Sequence, residues 1–268
     1  VLASLSSCQP KQSRQIPKRA AGGGPVYFGL TPALTEILFE VCAASELPAV
    51  SFGSDYPAAA AKRLQVHTVP VDFEALGDLA PTLIIAEDGM HTPDVYQNLR
   101  AQGHTVKVVR LVTFSDLWAT LDSLGVWTNH QEQAKRTITR VKREIEPYRY
   151  RLKGYHATVG VLFSTGPFMA QTRDSWMHNK LDYLGLTDAF AHKAGPFGTF
   201  LAEEIKNTPM NYIALHAGSP QSEALKQILA NNPLLHLIYL DDNLASRPST
   251  RLRTQLEDIC QAIEHVKP

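Results

Sequence analysis

Short apolar runs alternate with helical patterns along most of the chain. Unbroken apolar stretches at 26–29, 49–52, 83–86 and 106–111 predict strands. A helix near 93–101 separates the last two. Thr31 and Pro32 sit where a helix would begin, Thr as the cap and Pro in the first turn. Leu34, Ile37, Leu38 and Val41 then recur at helical spacing. Brief continuous apolar strands with helices between them predict a parallel sheet covered on both faces.

The second half has the same grammar. Strands are predicted at 158–163, 212–216 and 235–240, with helices at 176–186 and 222–230. A closing helix over 248–266 places Leu252, Leu256, Ile259 and Ile263 on one face. The two halves share an order of elements but no repeated sequence. Between them, Ala134, Ile138, Val141, Ile145, Tyr148 and Leu152 step by four and three through a charged background. That spacing predicts a long amphipathic helix over 129–153, about 35 Å if continuous. Pro147 should kink it or end it early. The fold class expected is α/β, with two Rossmann-like α/β lobes joined by a single long helix and a ligand cleft between the lobes. The divisions expected are 1–24 as remnant and tether, 25–128 and 154–268 as lobes, and 129–153 as the connecting helix.

Composition narrows the picture. The chain has 268 residues, 44% hydrophobic and 19% charged, which suits a folded protein and not a disordered one. Lys+Arg and Asp+Glu are both 26, so the net charge is zero and no whole-chain attraction to nucleic acid is expected. No apolar run is long enough to span a bilayer. The 3 cysteines form no CxxC pair, which excludes a disulfide scaffold and a cysteine-rich zinc module. Cys42 and Cys260 fall on apolar helix faces and are expected to be buried thiols.

The front end carries a different signal. Leu5-Ser6-Ser7-Cys8 resembles a bacterial lipobox, which implies acylation at Cys8 and anchoring to a membrane. One acyl chain binds a membrane only marginally, so stable anchoring takes more than one. Residues 9–24 are polar, with Lys11, Arg14, Lys18 and Arg19 and no acid, and end in a glycine run. This reads as a flexible tether.

Several motifs occur in an informative order. They are Gly29-Leu30-Thr31-Pro32-Ala33-Leu34-Thr35-Glu36-Ile37-Leu38-Phe39, Ser54-Asp55-Tyr56-Pro57, and Phe73-Glu74-Ala75-Leu76 followed by Ala80-Pro81-Thr82-Leu83-Ile84-Ile85-Ala86. Glu203-Glu204-Ile205, Pro209, Tyr212-Ile213-Ala214-Leu215 and Ser246-Arg247-Pro248 follow in the second half. Together they resemble the class III periplasmic substrate-binding proteins that serve ATP-driven importers of vitamin B12, iron-siderophores and haem. The Asp-Tyr-Pro turn is most like the B12 binders. The resemblance implies a lipid-anchored, extracytoplasmic protein, expected to be a monomer, that hands a small molecule to an ABC permease and ATPase complex. It also implies that Glu74 and Glu203 dock on permease arginines. Ala80-Pro81-Thr82 departs from the family's Lys-Pro-Asp, and Met210-Asn211 stands where an acid is usual. Glu203 lies one residue closer to its Pro than the family spacing, so Glu204 is the alternative docking acid.

In open α/β sheets ligands bind outside the carboxyl ends of the strands. That rule selects the loops near 29–31, 54–56, 87–91, 113–115, 164–168, 217–219 and 241–243. Thr31, Pro32, Asp55, His91, Asp242 and Asn243, in or beside those loops, are candidate ligand contacts, and Arg247 of the Ser246-Arg247-Pro248 motif is another. Tyr56, Met90, Phe114, Phe168, Trp176 and Phe197 could stack on a flat ligand, or equally pack in a core. His67, His91, His216 and Asp241 could in principle surround zinc, but they are scattered and no HExxH is present. No resident metal or cofactor is expected. Axial ligation of a haem ligand by His91 or Tyr56 stays open. Arg173 with Asp174 reads as an exposed ion pair.

The rival class is a two-lobed tetrapyrrole chelatase, which would need His91 paired with Glu87 or Glu203. The chain has no GxSxG, no Walker A loop and no GxGxxG after a strand, so the expectation is a binding protein and not an enzyme. A corrinoid is the first choice of ligand, an iron-siderophore or haem the second.

Overall fold

The structure is a computed structural model and describes residues 23–266. The lipobox at Cys8 and most of the expected tether lie outside the described residues.

The first lobe runs β1 (Tyr27–Gly29), α1 (Pro32–Val41), β2 (Ala49–Ser51), β3 (Leu64–Val66), α2 (Phe73–Leu79), β4 (Leu83–Glu87), α3 (Pro93–Ala101) and β5 (Val106–Val109). Its strands pair only in parallel, as β1-β4-β5 and as β2-β3. The apolar runs alternate across this sheet. Tyr27, Leu83 and Ile85 enter one core, and Phe28, Ile84 and Ala86 enter another on the opposite face. Burial on both faces is why these strands read as unbroken apolar stretches.

Two helices follow, α4 (Phe114–Thr128) and α5 (Gln131–Ile145). The second lobe contains β6 (Thr158–Thr165), β7 (Phe168–Gln171), α6 (Trp176–Leu184), β8 (Thr187–Asp188), β9 (Phe197–Phe200), α7 (Ala202–Asn207), β10 (Tyr212–His216), α8 (Glu223–Ala230), β11 (His236–Leu240), α9 (Asp242–Ser246) and α10 (Leu252–Glu264). Its sheet has the order β11-β10-β6-β7-β9. β6, β10 and β11 are parallel, while β7 and β9 add antiparallel. β8 pairs with the start of β6, and β7 pairs with its end.

The connection differs from the expected rod. Asn129 closes α4 in a left-handed conformation (φ 59) instead of capping a new helix. α5 ends at Ile145, and Glu146–Tyr148 tighten into a 3-10 turn around Pro147, which cannot donate a backbone hydrogen bond. The helix is thus shorter than 129–153, and α4 runs back along it as a second member. Gly125 permits that approach, because a Cβ there would lie 2.8 Å from the Ala134 Cβ.

α5 is fastened at both ends. Gln133 Nε2 and Thr137 Oγ1 donate to the Glu40 carbonyl of α1 at 3.1 and 3.2 Å. Arg140 pairs with the Glu40 carboxylate at 2.7 Å. At the other end, Tyr183 of α6 donates to the Ile145 carbonyl at 3.1 Å. Arg151, just beyond, pairs with Glu257 and Glu264 of α10. One apolar cluster continues from Leu34 and Ile37 through Leu117, Leu121 and Val141 to Leu256 and Ile263. The two lobes therefore share a core through the helix pair, which opposes wide hinge motion.

Candidate functional site

The carboxyl ends of the parallel strands meet where the lobes face each other. On the first lobe, Thr31 caps α1 and accepts from the Leu34 N–H at 3.2 Å. Its hydroxyl donates to Glu87 Oε2 at 3.2 Å. Glu87 ends β4, and burial pushes its carboxyl up to about 7 despite that hydrogen bond. Met90 is half exposed just beyond it. His91 Nε2 is 2.8 Å from the Thr68 carbonyl.

The loop after β2 is held by a closed triangle of buried hydroxyls. Thr35, Ser51 and Ser54 lie 3.0–3.2 Å apart. Gly53 takes φ +82, a conformation that favours glycine. This turn points Asp55 and Tyr56 outward, both exposed. Phe52 stacks on His67 beside them at 4.4 Å.

A charged cluster joins the lobes at this turn. Glu36, on α1, has a side chain only 1% exposed. Arg251 donates to it from Nε at 2.8 Å and from Nη2 at 2.7 Å. Arg247 Nη1 reaches Glu36 at 3.2 Å and also bonds Asp55, while its Nη2 donates to the Gly53 carbonyl at 3.2 Å. Asn243 Nδ2 donates to Asp55 at 3.0 Å. The Arg251 guanidinium lies 4.4 Å over the Tyr56 ring. Burial by itself would raise the Asp55 carboxyl, but the Arg247 bond and charge, with Arg251 behind it, hold it below its ordinary value. Two acids face two arginines, so the cluster is formally neutral.

The segment bearing Arg247 is itself anchored. Lys180, fully buried, donates to the Leu244 and Ala245 carbonyls at 2.8 and 3.0 Å. Burial pushes its amine down to about 7. Gln255 Nε2 donates to the Arg247 carbonyl at 2.8 Å, and its Oε1 accepts from the Trp176 indole at 2.9 Å.

A group of rings gathers near the end of β6 in the second lobe. Phe163 lies 5.3 Å from Phe197 and 6.3 Å from His216. Phe197 is 56% exposed. His216 is buried, which lowers its imidazole, and its Nε2 sits 3.3 Å from Gln171 Nε2.

The structure gathers some expected contacts and moves others away. Asp55, Tyr56, Asn243 and Arg247 converge on the boundary, while Thr31 is buried and bonds Glu87 within the first lobe. Pro32 opens α1 beside Thr31, while Met90, His91 and Phe197 occupy flanking loop and strand-end positions. Asp242 is exposed and accepts from the Gly218 N–H at 3.2 Å. Phe114, Phe168 and Trp176 are core residues. Phe114 packs 5.2 Å from Trp176, which supports Gln255, and Phe168 begins β7 with its ring buried. Phe168 and Phe197 each begin a four-residue antiparallel strand, which the apolar-run pattern does not mark. Glu36 and Arg251 were not singled out as contacts. An acid between Thr35 and Ile37 on a buried helix face is a signal of paired charge, and Arg251 lies four residues after Arg247, across the break between α9 and α10. His67, His91, His216 and Asp241 do not form a metal-binding group among the described residues.

The three acids expected to dock differ in their surroundings. Glu74 is exposed in the first turn of α2. Glu204 Oε2 accepts from the Leu201 N–H at 2.6 Å and so caps α7. Glu203 is 74% exposed, with only Lys206 nearby at 3.7 Å.

Two α/β lobes, one with parallel strands and one with a mixed sheet, sit on a helical brace and define a bilobal binding-protein architecture. A family model described as periplasmic binding protein matches residues 30–238. The chain belongs to that family. It is 25% identical over 246 residues to the vitamin B12-binding protein of Pectobacterium carotovorum subsp. carotovorum (strain PC1), covering 90% of this chain and 89% of that protein. The crystal structure of the periplasmic vitamin B12 binding protein of Vibrio cholerae shares the fold at TM-score 0.75 and 19% identity, covering 89% of this chain and 96% of that one. The periplasmic heme-binding protein RhuT from Roseiflexus sp. RS-1 shares it at TM-score 0.77 and 17% identity, covering 90% and 98%. No described helix is long and apolar enough to cross a membrane.

Proposed function

We propose that this chain is the extracytoplasmic solute-binding protein of an ATP-driven importer and that its cargo is a corrinoid. The cargo is held at the lobe boundary and released to a permease without chemical change. The observation that carries the choice of cargo is the neutral cluster at the boundary. Both arginines there are engaged by Glu36 and Asp55. An anionic cargo such as haem, with its propionates, calls for free cations. A corrinoid ringed with amides calls for hydrogen-bonding groups and flat apolar contacts, which Asn243, Tyr56, Met90 and Phe197 supply. The B12-binding relatives, similar over nearly the whole chain, support the same reading.

Haem is the second reading. It is favoured by the exposed Tyr56 phenol, which could serve as an axial ligand. Glu74 and Glu203, one on each lobe, would engage permease arginines, and acylation at Cys8 would tether the lobes to a membrane. Calorimetric titration with cobalamin, haem and a ferric hydroxamate tests the cargo. Saturable cobalamin binding in the micromolar range or tighter is expected. Haem binding without cobalamin binding would replace the first reading with the second.

A further inference from the structure

A second group of reactive side chains lies away from the lobe boundary, at the opposite end of α1 from Thr31. Cys42 follows the last turn of α1, Glu46 ends the 3-10 turn Ala44–Glu46, and His130 links α4 to α5. One ligand atom from each, sulfur, oxygen and nitrogen, lies within 4.8 Å of the other two. His130 Nε2 and Glu46 Oε2 are 3.3 Å apart. Two ligands each bonded at about 2.0–2.1 Å to a tetrahedral zinc ion are themselves about 3.3–3.4 Å apart. The pair therefore already spans one edge of a tetrahedral site.

The surroundings favour an ion. The Ala43 N–H donates to Glu46 Oε2 at 2.7 Å and orients that carboxylate, the kind of outer support that tunes a metal ligand. His130 Nδ1 is buried without a hydrogen-bond partner, so no bond from that nitrogen fixes the tautomer. Cys42 is 9% exposed, so its sulfur lies largely out of solvent beside that pair. A dication bound to one thiolate, one carboxylate and a neutral imidazole is formally neutral, which suits a partly buried position.

We propose that Cys42, Glu46 and His130 bind a borderline-soft transition dication of the zinc type, with water in the fourth position. Binding breaks the Cys42 S–H bond, forms the metal–sulfur bond and releases that proton to solvent, with no redox step. The ion staples the end of α1 to the link between α4 and α5. The site is separate from the proposed cargo site and does not depend on it.

Cobalt(II) is the probe, titrated into metal-free, thiol-reduced protein. The expected result is a near-ultraviolet thiolate-to-cobalt band with visible bands of tetrahedral intensity, saturating at one equivalent and bleached by zinc. About one proton is released per ion near neutral pH. Cys260→Ser keeps the band, Cys42→Ser loses it, and His130→Gln weakens cobalt affinity at least about tenfold. Zinc raises the melting temperature of the wild type but not of Cys42→Ser. Absence of a thiolate band in the wild type, or its survival in Cys42→Ser, overturns the proposal and leaves a plain His130–Glu46 ion pair. Because the wild type alone can return the negative result, poor folding of a variant does not shield the proposal.

Discussion

Arg251 of the second lobe grips Glu36 of the first with two parallel hydrogen bonds, at 2.8 and 2.7 Å. The fork matches the carboxylate and fixes the relative orientation of α1 and α10. Arg247 shares the same acid. Because the Glu36 side chain is almost fully buried, loss of its charge leaves two arginines under-compensated at the lobe boundary. Glu36→Gln should therefore destabilise the protein by about 3–5 kcal/mol, the range for breaking a buried ion pair. Urea unfolding measures it as a lowered midpoint. An unfolding free energy within about 0.5 kcal/mol of wild type would show that the cluster is solvated in solution.

On the proposed reading, Asp55 sets the charge that a cargo would meet at the lobe boundary. It takes bonds from both Arg247 and Asn243. Asp55→Asn frees Arg247 from one of its two acids and makes the boundary net positive. The ratio of haem affinity to cobalamin affinity should then rise by about tenfold, the effect of 1.4 kcal/mol. Parallel calorimetry on both cargos reads the ratio directly. An unchanged ratio would mean that Arg247 does not face the cargo.

These relationships mark what the sequence could and could not convey. The strands Leu83–Glu87 and Tyr212–His216 were legible because burial on both faces leaves an unbroken apolar run. The helix pair was less so. Asn129 can cap a helix start or close one in the left-handed conformation, and only packing against the first lobe decides between them. The helix α4 does carry a start signal, Thr113 with Asp116 three residues on, ahead of the stripe Leu117, Leu121, Leu124. Glu36 and Arg251 are 215 residues apart, so their pairing is a tertiary fact with no local pattern. The turn motif Ser54-Asp55-Tyr56-Pro57 marks Tyr56, which lies exposed under Arg251, whereas Trp176 opens a helix near a strand end and packs in the core.

Lys180 gives stability a pH dependence of known sign. Burial lowers its amine from 10.5 to about 7 in the folded protein. Between those values the unfolded chain holds a proton that the folded chain does not. Stability contributed by this group therefore rises with pH across that window, and the full penalty for the buried charge is felt below it. Lys180→Met should flatten the slope between pH 7.5 and 9.5, measured by urea unfolding at several pH values and referred to the same buffers. An identical slope in the variant would assign the dependence to other groups.

Glu87 works in the opposite sense. Its carboxyl is raised from 4.5 to about 7, so the folded protein binds the extra proton and loses stability as pH rises through that range. Glu87→Gln mimics the protonated form. The variant should be more stable than wild type at pH 8 and nearly equal to it at pH 5. Melting temperatures at the two values test this, and a variant less stable than wild type at pH 8 would contradict it.

Glu203 and its neighbour Glu204 allow docking to be separated from folding. Glu204 is committed to the Leu201 N–H, so Glu204→Ala should cost about 1 kcal/mol through loss of the cap. Glu203 has no comparable bond within its helix and is largely exposed, so Glu203→Ala should leave stability within about 0.5 kcal/mol. Glu74→Ala should behave likewise, since its carboxylate is not needed to cap α2, a task performed by Asp72 accepting from the Ala75 N–H at 2.9 Å. If both exposed acids meet arginine forks on a permease, each alanine variant should weaken complex formation while cargo affinity stays at the wild-type value, and raised salt should weaken the wild-type complex in the same direction. Loss of docking in Glu204→Ala with retention in Glu203→Ala would move the contact to the adjacent acid.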